Sequence, residues 1–312
     1  MKLSILIPTY NRAPFLLKNL EMLSDYILKG TFQEEIEIVI SNNKSTDSTD
    51  EKVIQFQNQN TDIQLQYFTQ DENIGLEKNA LFVLKQAKGE YVMYLGDDDY
   101  IEFEYLSGVV ENLTTNRNIS VVLRDKISID ENGNLLNRRR LPKPNKYYEA
   151  GFDNCLKNSW RGHQLSGLVL KREGLLEKYT SNAVSNIYPF IFFVAYSCLI
   201  GSTFDFQEYP VKVTIVSQNK KDWNYGSDGL LNEIFDNYKK LPLNILEKTI
   251  LELNHYYNQS WRLWNYKKQS NLMFFHAFLN IIKSNNSTFV FKIVFPIIVL
   301  LQIIKKAFFK FK

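Results

Sequence analysis

The chain has 312 residues, of which 45% are hydrophobic, and a formal net charge of +3. This is enough apolar material for a full core, and it excludes a disordered protein. The charge is unevenly placed: residues 287 to 312 hold Lys292, Lys305, Lys306, Lys310 and Lys312 and no acid, leaving 32 basic against 34 acidic residues elsewhere. A body of that balance is a poor match for nucleic acid. Cys155 and Cys198 lie far apart, outside any zinc-ligand spacing, and read as two free buried thiols in a reducing compartment.

Met1 to Pro8 carries too short an apolar run for a secretory leader, so the body of the chain is expected in the cytoplasm. From residue 3 to about 124, short β-branched runs alternate with longer amphipathic ones, the pattern of βαβ units around a mostly parallel sheet. Leu3 to Ile7, Ile36 to Ile40, Gln64 to Phe68, Tyr91 to Leu95 and Ser120 to Leu123 read as strands. Pro14 suits the first turn of a helix reaching Leu28, and Leu76 to Ala87 has helical spacing. Ile127 to Asn134 reads as a hairpin with an Asn-Gly turn, followed by Arg138-Arg139-Arg140 in a Pro-containing loop, for which a solvated loop outweighs a phosphate site. Leu165 to Lys171 is expected as a strand, Tyr188 to Ile200 as a buried helix, Phe204 to Val216 as extended, and 228 to 283 as helical with dense aromatics.

Ligands bind open parallel sheets beyond the carboxyl ends of the strands. Four polar segments directly follow predicted strands: Pro8-Thr9-Tyr10-Asn11-Arg12, Ser41 to Asp47, Asp71 to Gly75, and Gly96-Asp97-Asp98-Asp99. All four are therefore expected on one rim. The acidic run is the sharpest, because three adjacent carboxylates repel one another unless a cation neutralises them. Mg²⁺ or Mn²⁺ would take oxygens from one or two carboxylates and complete its shell with the phosphates of a nucleotide. An alternative is an N-cap cluster, with Asp98 or Asp99 capping the helix that begins near Glu102; alone it has comparable weight, and beside three companion loops it loses most of it.

The segments Leu3-Ser4-Ile5-Leu6-Ile7-Pro8-Thr9-Tyr10-Asn11-Arg12, Ser45-Thr46-Asp47, Asn73-Ile74-Gly75 with Lys78-Asn79, and Tyr94-Leu95-Gly96-Asp97-Asp98-Asp99 resemble the family 2 glycosyltransferases. The Leu-Gly-Asp-Asp-Asp form looks like the abequosyltransferase-type subgroup acting on bacterial surface polysaccharides. The resemblance is strong to about residue 115, weaker to about 216 and absent beyond. It implies an α/β GT-A fold, with a nucleotide-sugar half over 1–115, an acceptor half over 116–227, a helical region over 228–286 and a basic amphipathic segment over 287–312.

The resemblance also implies roles. Pro8, Thr9 and Tyr10 would line the nucleoside pocket, with Asn11 and Arg12 near the base or phosphates; Asn42, Ser45, Asn73, Gly75, Lys78, Asp97 and Asp98 would complete the donor site. Asp97 and Asp99 would hold the metal, Asp99 as its main ligand. Asn42 stands where the family usually has Asp at the base-reading position; an amide both donates and accepts, so UDP is the first choice of donor and cytosine is accommodated. As simple turn residues, Asn42 and Asn43 have a second reading. An inverting transferase needs a base for the acceptor hydroxyl. The family places an acid where this chain has Ser185-Asn186-Ile187-Tyr188-Pro189, which has none. His163 is the candidate substitute, with Asp205, Glu208 and Asp222 behind it, although a satisfied structural histidine is the commoner state. Trp160 and Trp223 suit sugar stacking or core packing.

About twenty apolar residues are needed to span a bilayer. Lys292 and Pro296 interrupt residues 288 to 304, so an interfacial helix fits better than a crossing. Lysines interleaved with Phe308, Phe309 and Phe311 would meet anionic headgroups; packing on the body is the other reading. The expected function is transfer of one sugar from a nucleotide sugar to a lipid-linked or cell-surface glycan, peripheral on the inner face of the membrane, with oligomerisation possible. A non-catalytic nucleotide-sugar-binding or assembly protein is the alternative. A sugar nucleotidyltransferase is less favoured, since Pro8-Thr9-Tyr10 is not the Gly-rich basic loop such enzymes carry.

Overall fold

The computed structural model describes residues 1–116, 118–136, 143–179, 186–215 and 225–309, the last without the side chains beyond Lys306. Arg138-Arg139-Arg140, Ser185, Asp222, Trp223, Lys310, Phe311 and Lys312, and the Phe308 and Phe309 side chains, lie outside the described residues. The chain divides into two compact units, Met1–Lys220 and Lys221–Lys312.

In the first unit the elements run β1 (Leu3–Thr9), α1 (Ala13–Lys29), β2 (Ile36–Asn42), α2 (Thr49–Gln59), β3 (Leu65–Thr69), α3 (Gly75–Gln86), β4 (Tyr91–Tyr94), α4 (Phe103–Thr115) and β5 (Ile119–Ile129). Then follow β6 (Lys146–Tyr148), α5 (Phe152–Asn158), a 3₁₀ turn (Ser159–His163), β7 (Leu168–Lys171), α6 (Leu175–Lys178), α7 (Pro189–Ile200) and β8 (Ser202–Thr214). The predicted strands and helices appear where the apolar periodicity put them. The Asn-Gly segment closes a turn in which Leu136 N–H donates to Ser128 O, but its returning strand is a single bridge, Ile129 to Leu135.

The sheet has the order β3-β2-β1-β4-β7-β5-β8-β6. β1 to β4 are mutually parallel, β7 is antiparallel to both β4 and β5, and β5 pairs parallel with β8. The ends of β1, β2, β3, β4 and β5 therefore share one rim, and the segment leading into β7 starts from that same rim. β1 and β2 are buried along their whole length, as expected of central parallel strands covered on both faces. α1 turns Leu16, Leu20, Leu23 and Ile27 onto the sheet, spaced for one helical face, with Pro14 in its first turn. α7 is apolar all round and buried from Pro189 to Cys198, the signature of a helix enclosed on every side. Both cysteines are free and buried.

The second unit comprises α8 (Leu231–Lys239), α9 (Ile245–Asn258), α10 (Trp261–Gln269), α11 (Asn271–Lys283) and α12 (Phe289–Phe309). A capping box between Asn244 and Glu247 starts α9. α12 packs one face inward: Phe291 meets Phe235 at 4.8 Å between ring centroids, Phe295 meets Tyr256 at 4.8 Å, and Gln302 accepts from Tyr256 and Trp264. Glu252 accepts from the Thr288 N–H and hydroxyl and so fixes where α12 begins. Among the described residues no helix is long and apolar enough to cross a membrane.

Candidate functional site

The four strand-end loops are tied to each other by side chains. Thr9, at the end of β1, donates its hydroxyl to Asp97 Oδ2 at 2.7 Å. Asn11 has a positive φ of 54°, which asparagine tolerates better than most residues. In that conformation its N–H donates to Ser45 Oγ (2.8 Å) and its Oδ1 accepts from Thr46 N–H (2.7 Å). Asp47 accepts from Ala13 N–H, Thr49 N–H and Thr49 Oγ1. Burial pushes the Asp47 carboxyl up, but those hydrogen bonds outweigh it and hold the group below its usual range. Asn43 joins the next pair of loops, donating to Asn73 Oδ1 (2.8 Å) and accepting from Ile74 N–H (2.8 Å). Gly75 follows at φ 80°, a conformation that favours glycine.

The acidic run is held from behind. Asn19 of α1, fully buried, donates to the carbonyls of both Gly96 and Asp99. Asp99 is 4% exposed, and its Oδ2 accepts from Gln164 Nε2 (3.0 Å) and Ser166 Oγ while its Oδ1 accepts from Thr214 N–H (2.7 Å). Gly96 fits closely here: a Cβ would sit 3.0 Å from both Asp99 Oδ2 and Ser166 Oγ, so either side chain would have to give by a few tenths of an ångström. Asp97 and Asp98 differ from Asp99 in being partly exposed. Among the described residues the Asp97 carboxylate accepts from the Thr9 hydroxyl through Oδ2 alone, and Asp98 Oδ2 faces the Arg12 guanidinium at 3.9 Å. Burial, then the charge of Asp98, pushes Asp97 up to about 7; burial, then the charge of Asp99, pushes Asp98 up to about 6. Burial also raises Asp99.

Several expected site residues are thus brought together on the rim: Thr9, Asn11, Arg12, Ser45, Asn73, Gly75, Asp97, Asp98 and Asp99. Pro8 is buried inside β1, Tyr10 is 36% exposed beside it, and Lys78 is exposed on α3. Asn42, expected to read the base, is fully buried: its Nδ2 donates to Asp50 and Tyr67, and its Oδ1 accepts from Ser45 N–H. Both ends of that amide serve the loop. The resemblance makes Asp99 the main metal ligand, whereas the oxygens left open belong to Asp97 and Asp98. Two adjacent carboxylates carrying excess negative charge fit a hard divalent cation that takes its remaining ligands from phosphate and water. Among the described residues no group of three or more His, Cys, Asp or Glu is arranged to hold a metal.

On the β5 and β7 side of the rim, His163 Nδ1 lies 2.8 Å from Trp160 O and its Nε2 lies 3.3 Å from Lys126 Nζ, with the Trp160 ring stacked on it. Donating through Nδ1–H leaves the Nε2 lone pair pointing at the ammonium, so the lone pair a base needs is engaged. Asp205 is buried and paired with Arg161 at 2.7 Å, and Glu208 is exposed on β8. Near Asn186 the carboxylate present is Glu77 of α3, buried and accepting from Asn186 N–H and Tyr179 OH. Asn19, Gln164, Ser166 and Thr214 carry no motif, and sequence reasoning missed them. The one signal that could have found any of them is the helical register that turns Asn19 onto the apolar face of α1.

An open α/β sheet with polar loops and paired acids gathered at the strand ends is the architecture of a nucleotide-binding transferase. The profile of glycosyl transferase family 2 matches residues 4–175, and the chain belongs to that family. It is 32% identical over 130 residues to the abequosyltransferase RfbV of Salmonella typhimurium, covering 42% of this chain and 38% of that one. It is also 32% identical over 180 residues to the GalNAc(5)-diNAcBac-PP-undecaprenol beta-1,3-glucosyltransferase of Campylobacter jejuni, covering 57% of this chain and 46% of that one. The chain thus spans less than half the length of either relative. Among solved structures, TarS 1–349 of S. aureus in complex with UDP-GlcNAc superposes with a TM-score of 0.66 at 20% identity over 91% of this chain and 81% of that one. The mannosyltransferase of Pyrobaculum calidifontis in complex with GDP-Man and Mn²⁺ superposes at 0.59 with 16% identity, over 97% of this chain and 80% of that one. These likenesses establish the GT-A fold.

Proposed function

We propose that the protein transfers a single sugar, with inversion, from a nucleoside diphosphate sugar, UDP being the first choice, to a lipid-linked or cell-surface glycan. The observation that carries this reading is the pair of open carboxylates on Asp97 and Asp98 at the head of four interlocked strand-end loops. The loops after β1 and β2, locked by Asn11, Ser45 and Thr46, offer the nucleoside a preformed cradle. Arg12, beside Asp98, offers a cation to the diphosphate. Asp97 and Asp98 would hold Mn²⁺ or Mg²⁺, which when bound neutralises charge on the departing nucleoside diphosphate. Thr9 orients Asp97 through its hydroxyl, and Asn19 fixes the backbone that presents both acids. Purified protein with Mn²⁺ and a panel of nucleotide sugars should release nucleoside diphosphate. Release of pyrophosphate would identify a nucleotidyltransferase instead, and binding without turnover a non-catalytic binder.

The lipid-linked acceptor is supported by the exposed side of α12. Val290, Ile293, Ile297, Leu300 and Ile304 recur every three or four residues and are exposed, opposite the Phe291 and Phe295 face that packs inward. At about 100° per residue, Lys292 and Lys305 lie on opposite sides of this stripe, roughly 80° and 60° beyond its edges. Cations flanking an apolar stripe suit an anionic lipid surface. Replacing Ile297 and Leu300 together by aspartate should cut binding to phosphatidylglycerol vesicles at least about tenfold, read by sedimentation. Equal binding by the variant would remove the membrane-surface reading.

A further inference from the structure

The geometry points to an oxyanion site on the acceptor side of the rim, in which the Lys126 ammonium, held in place by His163, binds a phosphate group of the acceptor substrate. Lys126 lies on β5, just past an irregularity in its pairing with β8 between Arg124 and Lys126. Such a local break re-aims the side chains that follow it. β5 runs parallel to β4, and the segment carrying His163 leads into β7, so both groups reach the rim that holds the acidic run. Gln164, the next residue after His163, is bonded to Asp99. The dyad is therefore on the β7 and β5 side of the acids, and the loops of Asn11, Asn43 and Asn73 are on the β1, β2 and β3 side.

The chemistry of the dyad is that of a positioned cation. His163 is set by two contacts, the Trp160 carbonyl at Nδ1 and the stacked Trp160 ring, and its Nε2 accepts one of the three Lys126 N–H donors. Among the described residues the other two Lys126 donors meet no hydrogen-bond partner. Among the described residues no carboxylate pairs with it. The acids nearby have partners of their own: Asp125 faces Lys143 at 3.7 Å, Asp205 is paired with Arg161, and Asp99 is held by Gln164, Ser166 and Thr214. Arg124, buried behind, spends its donors on the Ser166 and Gln164 carbonyls and the Gln164 amide oxygen. A cation fixed by an imidazole lone pair, with donors to spare and, among the described residues, no acid of its own, is matched by an oxyanion. Against that oxyanion His163 is a positioning residue. Its engaged lone pair fits this role better than that of a base.

Naming the oxyanion as the acceptor's rests on the transferase reading of the rim; oxyanion binding by the dyad does not. The chain has three histidines, of which His255 is buried and His276 is exposed on α11, so the His163 ring resonance can be assigned by loss in His163→Gln. Full-length protein is titrated with inorganic pyrophosphate, then with UDP and Mg²⁺, then with pyrophosphate in the presence of saturating UDP and Mg²⁺. Pyrophosphate should shift His163 saturably, with or without the nucleotide, and Lys126→Met should weaken that binding about tenfold while Lys126→Arg retains it. Because Lys126 is exposed, thermal unfolding of both variants should match the parent. No shift, or the same shift in Lys126→Met, overturns the site. A His163 shift produced by UDP and Mg²⁺ that blocks pyrophosphate assigns the dyad to the donor and overturns the acceptor-side placement. If UDP fails to bind while pyrophosphate still moves His163, the transferase reading fails and the oxyanion site stands.

Discussion

Asp98→Asn is expected to weaken Mn²⁺-dependent nucleotide binding on the order of 100-fold, and to make the metal-free protein more stable. Both effects follow from one cause. Burial and the charges of Asp98 and Asp99 push Asp97 up to about 7, and burial and the charge of Asp99 push Asp98 up to about 6, so in the absence of metal the ionised forms repel within the rim. An amide at position 98 removes one charge, and with it the repulsion and the cation's ligand. The sign for pH is set the same way. Folded pKa values above an ordinary carboxylate of about 3.9 mean that this contribution to stability is complete only below about pH 3.9, shrinks as pH rises from there, and is gone once pH has passed about 6 for Asp98 and about 7 for Asp97. Mn²⁺ should therefore raise the unfolding temperature by on the order of 5 °C at pH 8 and by little at pH 5, where protons compete with it. Thermal unfolding with and without Mn²⁺ at both values reads this directly. A metal effect independent of pH, or wild-type nucleotide affinity in Asp98→Asn, would remove these acids from the metal site.

The parts of the site legible in the sequence are those whose meaning is local. β1 to β5 announce themselves as short runs rich in apolar, β-branched and aromatic residues, and a polar segment directly after a parallel strand must lie on the rim, whatever the rest of the chain does. Asp97, Asp98 and Asp99 are conspicuous because like charges in adjacent positions need a reason. What was not legible depends on partners far away in the chain. Thr214 reaches Asp99 across 115 positions, Ser166 across 67 and Gln164 across 65. Nothing about a threonine, a serine or a glutamine in its own neighbourhood marks it as a partner of a buried carboxylate. Asn42 shows the converse: the motif position suggested a base-reading amide, yet Asp50 and Tyr67, on α2 and β3, draw it inward. The turn-residue reading of Asn42 and Asn43 describes what their amides do here, bracing the loops at the ends of β2 and β3.

The same long-range bonds set the second large effect. Asp99→Ala should lower stability by about 3–5 kcal/mol, because it strands the Thr214 N–H, the Gln164 amide and the Ser166 hydroxyl beside an empty volume in a site sealed from water. Asp99→Asn keeps the shape, the oxygen that accepts from Thr214 N–H and a partner for the Ser166 hydroxyl, which can rotate to accept from the new amide, but the Gln164 Nε2 donor loses its acceptor, so the loss should shrink to about 1–3 kcal/mol. The pair of variants therefore separates two jobs a carboxylate in an acidic run can have. A bracing residue tolerates asparagine and keeps nucleotide affinity once folded; a metal ligand loses the metal with its charge, however well the fold survives. Chemical denaturation combined with Mn²⁺-dependent nucleotide titration distinguishes them. If Asp99→Asn unfolds like the parent but no longer binds nucleotide with Mn²⁺, Asp99 is itself the ligand, and Ser166, Gln164 and Thr214 are the donors that orient it.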